Sequence, residues 1–249
     1  MEQAWQRDCC ELLEQTPPDT QLLSLSSPNS QCRDCGAAIK PWHNVPVLSY
    51  VFLRGCCAGC GASISSRYPI IELCTALLSF SAAMVFGPTL QLAGALLLIW
   101  SLIVLTGIDI DTQLLPDSIT LPLLWLGLLL NINSAFTSLN DAVVGAAAGY
   151  LTLWSVYWIF KLTTGKDGMG FGDFKLLAAL GAWFGWQTIP LIIIVSSFVG
   201  AFIGILLILL KKQGREVPMP FGPYLAGAGL ITLFFGDRLT AAYFSFIGL

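Results

Sequence analysis

Charge is scarce in this chain. Asp, Glu, Lys and Arg make up 11% of its 249 residues, while 55% are hydrophobic and mean hydropathy is +0.75. Average soluble domains carry about 25% charged residues, so a globule of this length would have too little charge to coat its surface. The scarcity is also local: from Ile70 onward, long runs carry almost none. A bilayer needs apolar stretches of about 20 residues, and a soluble core does not accommodate them in series. Other absences narrow the field. Net charge is −3 and no basic block occurs, which excludes nucleic acid as a partner. Met1 to Gln21 holds Arg7, Asp8 and Glu11 with no apolar core, unlike a signal peptide. There is no Gly-x-Gly-x-x-Gly following a strand and no internal repeat.

What is present divides in two. Residues 1–67 hold five of the twelve Lys and Arg (Arg7, Arg33, Lys40, Arg54, Arg67) and seven of the eight cysteines. They read as a small aqueous domain, and 68–249 as a membrane-embedded one. The expected fold is an all-α polytopic membrane protein. Seven spans are expected: 69–86, 89–108, 119–132, 139–160, 174–186, 189–210 and 224–246. With 1–67 cytoplasmic, eleven of twelve positive charges fall on one side and only Arg238 on the other, as the positive-inside rule requires. Trp100, Trp125, Trp154, Trp158, Trp183 and Trp186 fall loosely where interfacial belts would lie. Gly145 with Gly149, and Gly200 with Gly204, have the spacing that lets helices pack closely.

Cys32-Arg-Asp-Cys35 and Cys57-Ala-Gly-Cys60 are two Cys-x-x-Cys pairs, each followed by a glycine (Gly36, Gly61) that permits a tight turn. Two such pairs make the tetrahedral four-sulfur set of a closed, structural zinc site. Two disulfides are the alternative, which a cytoplasmic location disfavours. Cys56 competes with Cys57, at the cost of a Cys-x3-Cys spacing. Cys9, Cys10 and Cys74 have no partner pattern.

Acids at the edge of membrane helices are expensive and mark functional sites. Asp109 and Asp111 end the second span, ahead of Leu114-Leu-Pro-Asp117; Asp173 ends the glycine-rich stretch Gly168-Met-Gly-Phe-Gly-Asp and opens the fifth. Glu72 lies one turn inside the first span; Asp141 and Asp237 fall on the far side. Taken singly, Asp173 is an ordinary helix N-cap, and Asp109 or Asp117 an interfacial loop charge. Together, the topology puts both clusters at one membrane face. Two carboxylates a few Å apart share one proton, so one activates water while the other protonates a carbonyl. Gly170 and Gly172 allow close backbone approach beside them.

Gly170-Phe-Gly-Asp173 matches the Gly-x-Gly-Asp signature of membrane aspartyl proteases. With Asp109 seven positions before Pro116, Pro116-Asp117, the paired Cys-x-x-Cys, Pro41-Trp-His-Asn-Val-Pro46 and Ser66-Arg-Tyr-Pro69 with Glu72, the chain resembles the type IV prepilin peptidase family over roughly residues 30 to 245. The resemblance implies cleavage of type IV prepilins and type II secretion pseudopilins at the cytoplasmic face of the bacterial inner membrane. It also implies N-methylation of the new N-terminal residue with S-adenosylmethionine. It makes Asp109 and Asp173 the catalytic pair, with Asp111 the competing first aspartate, and Cys32, Cys35, Cys57 and Cys60 the zinc ligands. Asp117, Glu72, Lys175, Gly170 and Gly172 are supporting positions. Family members begin with a further span carrying Gly-Ser-Phe-Leu-Asn, whereas Met1 here resembles the segment just after it; the expectation is a complete site in a scaffold without that helix. The competing readings are a protease without methylation, an ion- or proton-coupled transporter, and a membrane anchor whose zinc domain docks a partner.

Overall fold

The structure is a computed structural model that describes residues 31–32, 34–166, 168–211 and 220–247. Arg7, Cys9, Cys10 and Arg33, used above for charge and cysteine placement, lie outside the described residues, as do Lys212 and Arg215, two more of the eleven positive charges expected on the cytoplasmic side. The chain separates into two compact units, Met1–Glu72 and Leu73–Leu249.

In the first unit, the two Cys-x-x-Cys segments fold into matching knuckles. Each carries an isolated β-bridge, Gln31 with Ala38 and Cys56 with Ser63, the β structure found among the described residues. The Cys32 amide donates to Ala37 O (2.9 Å) and the Cys57 amide to Ala62 O (2.8 Å). Gly36 and Gly61 turn the chain at φ +68° and +73°, a region where a Cβ is strained. A short 3-10 turn, Pro41–Asn44, and helix α1, Leu48–Phe52, follow. The first unit runs on to Glu72, past the expected boundary at residue 67. Glu72 is part of helix α2 yet accepts the Val47 amide at 2.8 Å, which ties the start of that helix to the first unit.

All seven expected spans are helical: α2 Arg67–Phe86, α3 Leu90–Thr112, α4 Asp117–Asn131, α5 Leu139–Thr164, α6 Phe171–Phe184, α7 Ile189–Lys211 and α8 Gly222–Ile247. Five of them (α2, α3, α5, α7 and α8) are long and apolar enough to cross a membrane. The 15 residues of α4 and 14 of α6 reach only about 22 Å at 1.5 Å per residue, short of a hydrocarbon core about 30 Å thick. Side chains set the ends. Thr89 and Ser138 accept the amides of Leu92 and Asp141 to start α3 and α5, as N-caps do. Gly165, at φ +70°, closes α5. The exposed faces are apolar, with Phe80, Met84, Phe198 and Leu209 pointing outward, which suits lipid and not water.

Helix α6 is the hub of the second unit: Asp173, Phe174 and every residue from Leu176 to Trp183 are buried. It packs on α5 through glycines. A Cβ on Gly145 would fall on the Gly181 carbonyl, and one on Gly149 would lie 2.6 Å from Leu177 O; the small-residue spacing does bring backbones together. Gly200 meets the Tyr224 ring instead. Trp183 departs from the interfacial expectation. It is fully buried against Gly127, its indole N–H donating to Leu123 O at 2.8 Å.

Buried Asn131 holds the far ends of α4 and α6 together. Its amide donates to Ala182 O (2.9 Å) and Trp183 O (3.0 Å), and its oxygen accepts from the Phe136 and Thr137 amides (2.9 and 3.1 Å). All four of its bonding positions are filled. Asn131→Leu strands four backbone groups, so it is expected to destabilise the protein by on the order of 3 kcal/mol, read as a lower unfolding midpoint in detergent.

Candidate active site

Helix α3 runs through the expected stop at Ile108 to Thr112, so Asp109 and Asp111 are both helical. Residues two apart on a helix point about 200° apart. Asp109 therefore faces inward, 4% exposed, while Asp111 is exposed. Gln113, at φ +55°, ends the helix and turns the chain into Leu114-Leu-Pro116 and the start of α4.

Helix α6 also begins earlier than expected. Gly170 is its N-cap, and Asp173 is its third residue, not its cap. Asp173 is 7% exposed. Gly172 has no room for a side chain: a Cβ there would lie 2.6 Å from Leu115 Cβ, so this glycine lets α6 seat against the chain leading into α4. Gly170 is open, with Asp173 Oδ2 the nearest atom to its Cβ position at 3.7 Å, which leaves access to that carboxylate.

These elements converge on a cavity of about 880 Å³ in the second unit, lined by Asp109, Asp173, Asp117, Lys175, Met169 and Tyr224 among others. Asp109 reaches it from the last turn of α3 and Asp173 from the first turn of α6. Both oxygens of Asp117, the first residue of α4, lie 2.6 Å from Lys175 Nζ. The pair is partly exposed, so it adds little stability. It does pair two of the four charged side chains that line the cavity, leaving Asp109 and Asp173 as the other two.

The site has one further element. The Gly222 amide, at the N-terminus of α8, donates to Asp109 Oδ2 at 2.9 Å. A Cβ at Gly222 would lie 2.6 Å from that oxygen. Gly222 is 113 positions from Asp109, and only its place between prolines in Pro220-Phe-Gly-Pro223 signals a special turn.

Glu72 belongs to the first unit, where it bonds Val47 N. So do the four cysteines. Cys32, Cys35, Cys57 and Cys60 place their sulfurs within 4.8 Å of one another, and the Cys32 and Cys60 sulfurs are 3.9 Å apart. A tetrahedral zinc with Zn–S near 2.3 Å sets sulfurs about 3.8 Å apart, so the cluster fits the ion. All are free thiols. Backbone contacts with Cys60 and Gly59 pull the Cys57 thiol down to about 7. Cys60 is lowered by the Ala62 backbone, but Cys35 and the other thiols push it up to about 12. Thiols this close cannot all ionise without a cation. Cys56 lies beside the set and approaches Arg54 O at 3.7 Å. Cys32→Ser with Cys57→Ser is expected to lose bound zinc and loosen residues 31–62, measured by metal analysis and hydrogen exchange.

Two family models match the chain: the type IV leader peptidase family over residues 96–205, and the bacterial peptidase A24 N-terminal domain over residues 10–86. A prepilin leader peptidase/N-methyltransferase of Pseudomonas aeruginosa is 52% identical over 249 residues, covering all of this chain and 86% of that protein. Another, from Aeromonas hydrophila, is 57% identical over 225 residues, 90% of this chain and 78% of the relative. A third, from Legionella pneumophila, is 44% identical over 247 residues, 99% of this chain and 86% of the relative. No solved structure matches the chain.

Proposed function

The chain belongs to the type IV leader peptidase family, and on that premise we propose that Asp109 and Asp173 are the carboxylates with which it cleaves prepilin leaders. Its activity is cleavage of the prepilin leader followed by N-methylation of the new N-terminal residue. The observation that carries the site assignment is two buried carboxylates from different helices on one cavity. The pair holds one proton between them. The ionised member takes a proton from a water as its oxygen attacks the scissile carbonyl, and the protonated member gives its proton to the carbonyl oxygen. Collapse of the tetrahedral species expels the amine, which receives a proton from the pair. Burial of both carboxylates strengthens each of these interactions. Open Gly170 gives the substrate backbone a path to Asp173.

For the second step, S-adenosylmethionine would supply an electrophilic methyl group to the freed amine. The four cysteines hold zinc as a structural ion, since four sulfurs leave it no open position. Substrates are type IV prepilins and type II secretion pseudopilins, presented at the cytoplasmic face of the inner membrane, a side supported by Lys161 and Lys166 through the positive-inside rule. A transporter would hold its acids near the bilayer midplane, whereas Asp109 and Asp173 lie in the terminal turns of α3 and α6. The test contrasts neighbours on one helix. Asp109→Asn is expected to abolish cleavage of a prepilin substrate in detergent, while Asp111→Asn retains it within about threefold, a difference set by which carboxylate faces the cavity. The reverse order would move the role to Asp111.

A further inference from the structure

We propose that residues 39–54 of the first unit lie on the bilayer itself, with Trp42, Leu48, Val51 and Phe52 inserted at the boundary between lipid headgroups and acyl chains. These side chains are among the most exposed apolar groups of the unit, Trp42 at 64%, Val51 at 67% and Phe52 at 84%. Leu48, Val51 and Phe52 stand at i, i+3 and i+4 of α1, so they share one face. In water such a ridge is a liability.

Its position says what covers it. Helix α2 has 20 residues and is apolar enough to cross a membrane. At 1.5 Å per residue it is about 30 Å long, no longer than the hydrocarbon core. Its first residue, Arg67, therefore sits at the membrane surface. Glu72 is five residues further along, about 7.5 Å in, and its carboxylate accepts the Val47 amide that leads into α1. That bond fixes α1 beside the first turns of the membrane helix. Val47 reaches it at φ +58°, a strained conformation for a β-branched residue, which this bond helps to hold. The first turns of α2 are exposed and apolar too, with Tyr68, Ile70 and Ile71, as a lipid surrounding at this level favours.

Charge agrees with a lipid partner. Residues 39–54 contain Lys40 and Arg54 and no Asp or Glu. Lys40 Nζ lies 5.6 Å from the Trp42 ring centroid. Basic groups beside a tryptophan at the edge of an apolar face are what membrane-surface segments carry, and they favour anionic headgroups.

The test uses the full chain in nanodiscs of phosphatidylglycerol and phosphatidylcholine doped with a lipid bearing a diazirine on its acyl chain. After illumination, adducts are mapped by mass spectrometry. Adducts on residues 42–52 are expected at yields within about threefold of those on the exposed residues of α2. In Val51→Glu with Phe52→Glu they are expected to fall at least fivefold, with bound zinc and α2 labelling unchanged. Absence of adducts on 42–52 in the unsubstituted chain, while α2 is labelled, would overturn the proposal. Loss of the adducts on that segment when a prepilin is added, or when two copies of the chain share a nanodisc, would overturn it equally. Should the double variant lose zinc, brominated lipid provides a second reading. Trp42→Phe is expected to remove a quenched fraction of the tryptophan emission, and equal quenching of both proteins contradicts lipid contact.

Discussion

Asp173→Asn is expected to lower leader cleavage by at least about 10³-fold while leaving the protein folded. The amide has the shape of the carboxyl but neither gains nor gives a proton at ordinary pH, so water activation and proton donation are both lost, each a large term in acid–base catalysis. The stability consequence has a definite sign. Asp173 is buried on the same cavity as Asp109, and removing one of two buried carboxyls that share it relieves desolvation and repulsion together. The unfolding midpoint should therefore stay level or rise. Loss of activity with gain of stability is what a functional residue produces and a packing residue does not. Methylation separates the two activities. The amine that receives the methyl group does not exist until the peptide bond is cut, so the variant should fail to methylate intact prepilin yet still methylate a synthetic peptide that begins at the mature N-terminus.

Gly222→Ala is the second large effect. Its methyl group would stand 2.6 Å from Asp109 Oδ2, inside van der Waals contact, and on the same residue whose amide donates to that oxygen. Either the carboxylate rotates or the start of α8 retreats, and in both cases the hydrogen bond is lengthened. Misplacement of a catalytic group by about 1 Å costs about 10²-fold, and that loss is expected in kcat with little change in KM. The rest of α8 is unaffected, since alanine is a better helix former than glycine. A fall in the unfolding midpoint of many degrees together with lost activity would assign Gly222 to packing alone. Steady-state kinetics with a thermal scan on the same preparation distinguishes the outcomes.

Sequence carried the elements whose signals are local. Apolar run length located α2 to α8, five of them long enough to cross a membrane, and spacing found both knuckles, because a Cys-x-x-Cys-Gly turn is a property of five adjacent residues. It failed where two distant segments decide. The end of α3 was expected at Ile108 because acids disfavour lipid, but Asp109 finds a cavity and an amide from α8, so the helix continues through it. Helix α6 starts at Phe171, before Asp173, because Gly170 serves as the cap and Gly172 can press against Leu115. Trp183 matches an interfacial belt only loosely in the sequence, and the slot left by Gly127 and the Leu123 carbonyl makes it a core residue. Glu72, expected one turn inside the first span, has as its partner the amide of Val47, which the sequence does not signal. In each case the missing information was a neighbour more than 20 residues away.

Whether the two carboxylates act as one unit is measured most directly by comparing Asp109→Asn, Asp173→Asn and the double substitution in a single cleavage assay on one prepilin. Residues that share a step are strongly non-additive. The double variant is expected to be no more than a few-fold slower than either single one, with all three at least about 10³-fold below the unsubstituted enzyme. Full cleavage by either single variant, or a double variant whose loss is the product of the two single losses, would contradict a shared catalytic pair.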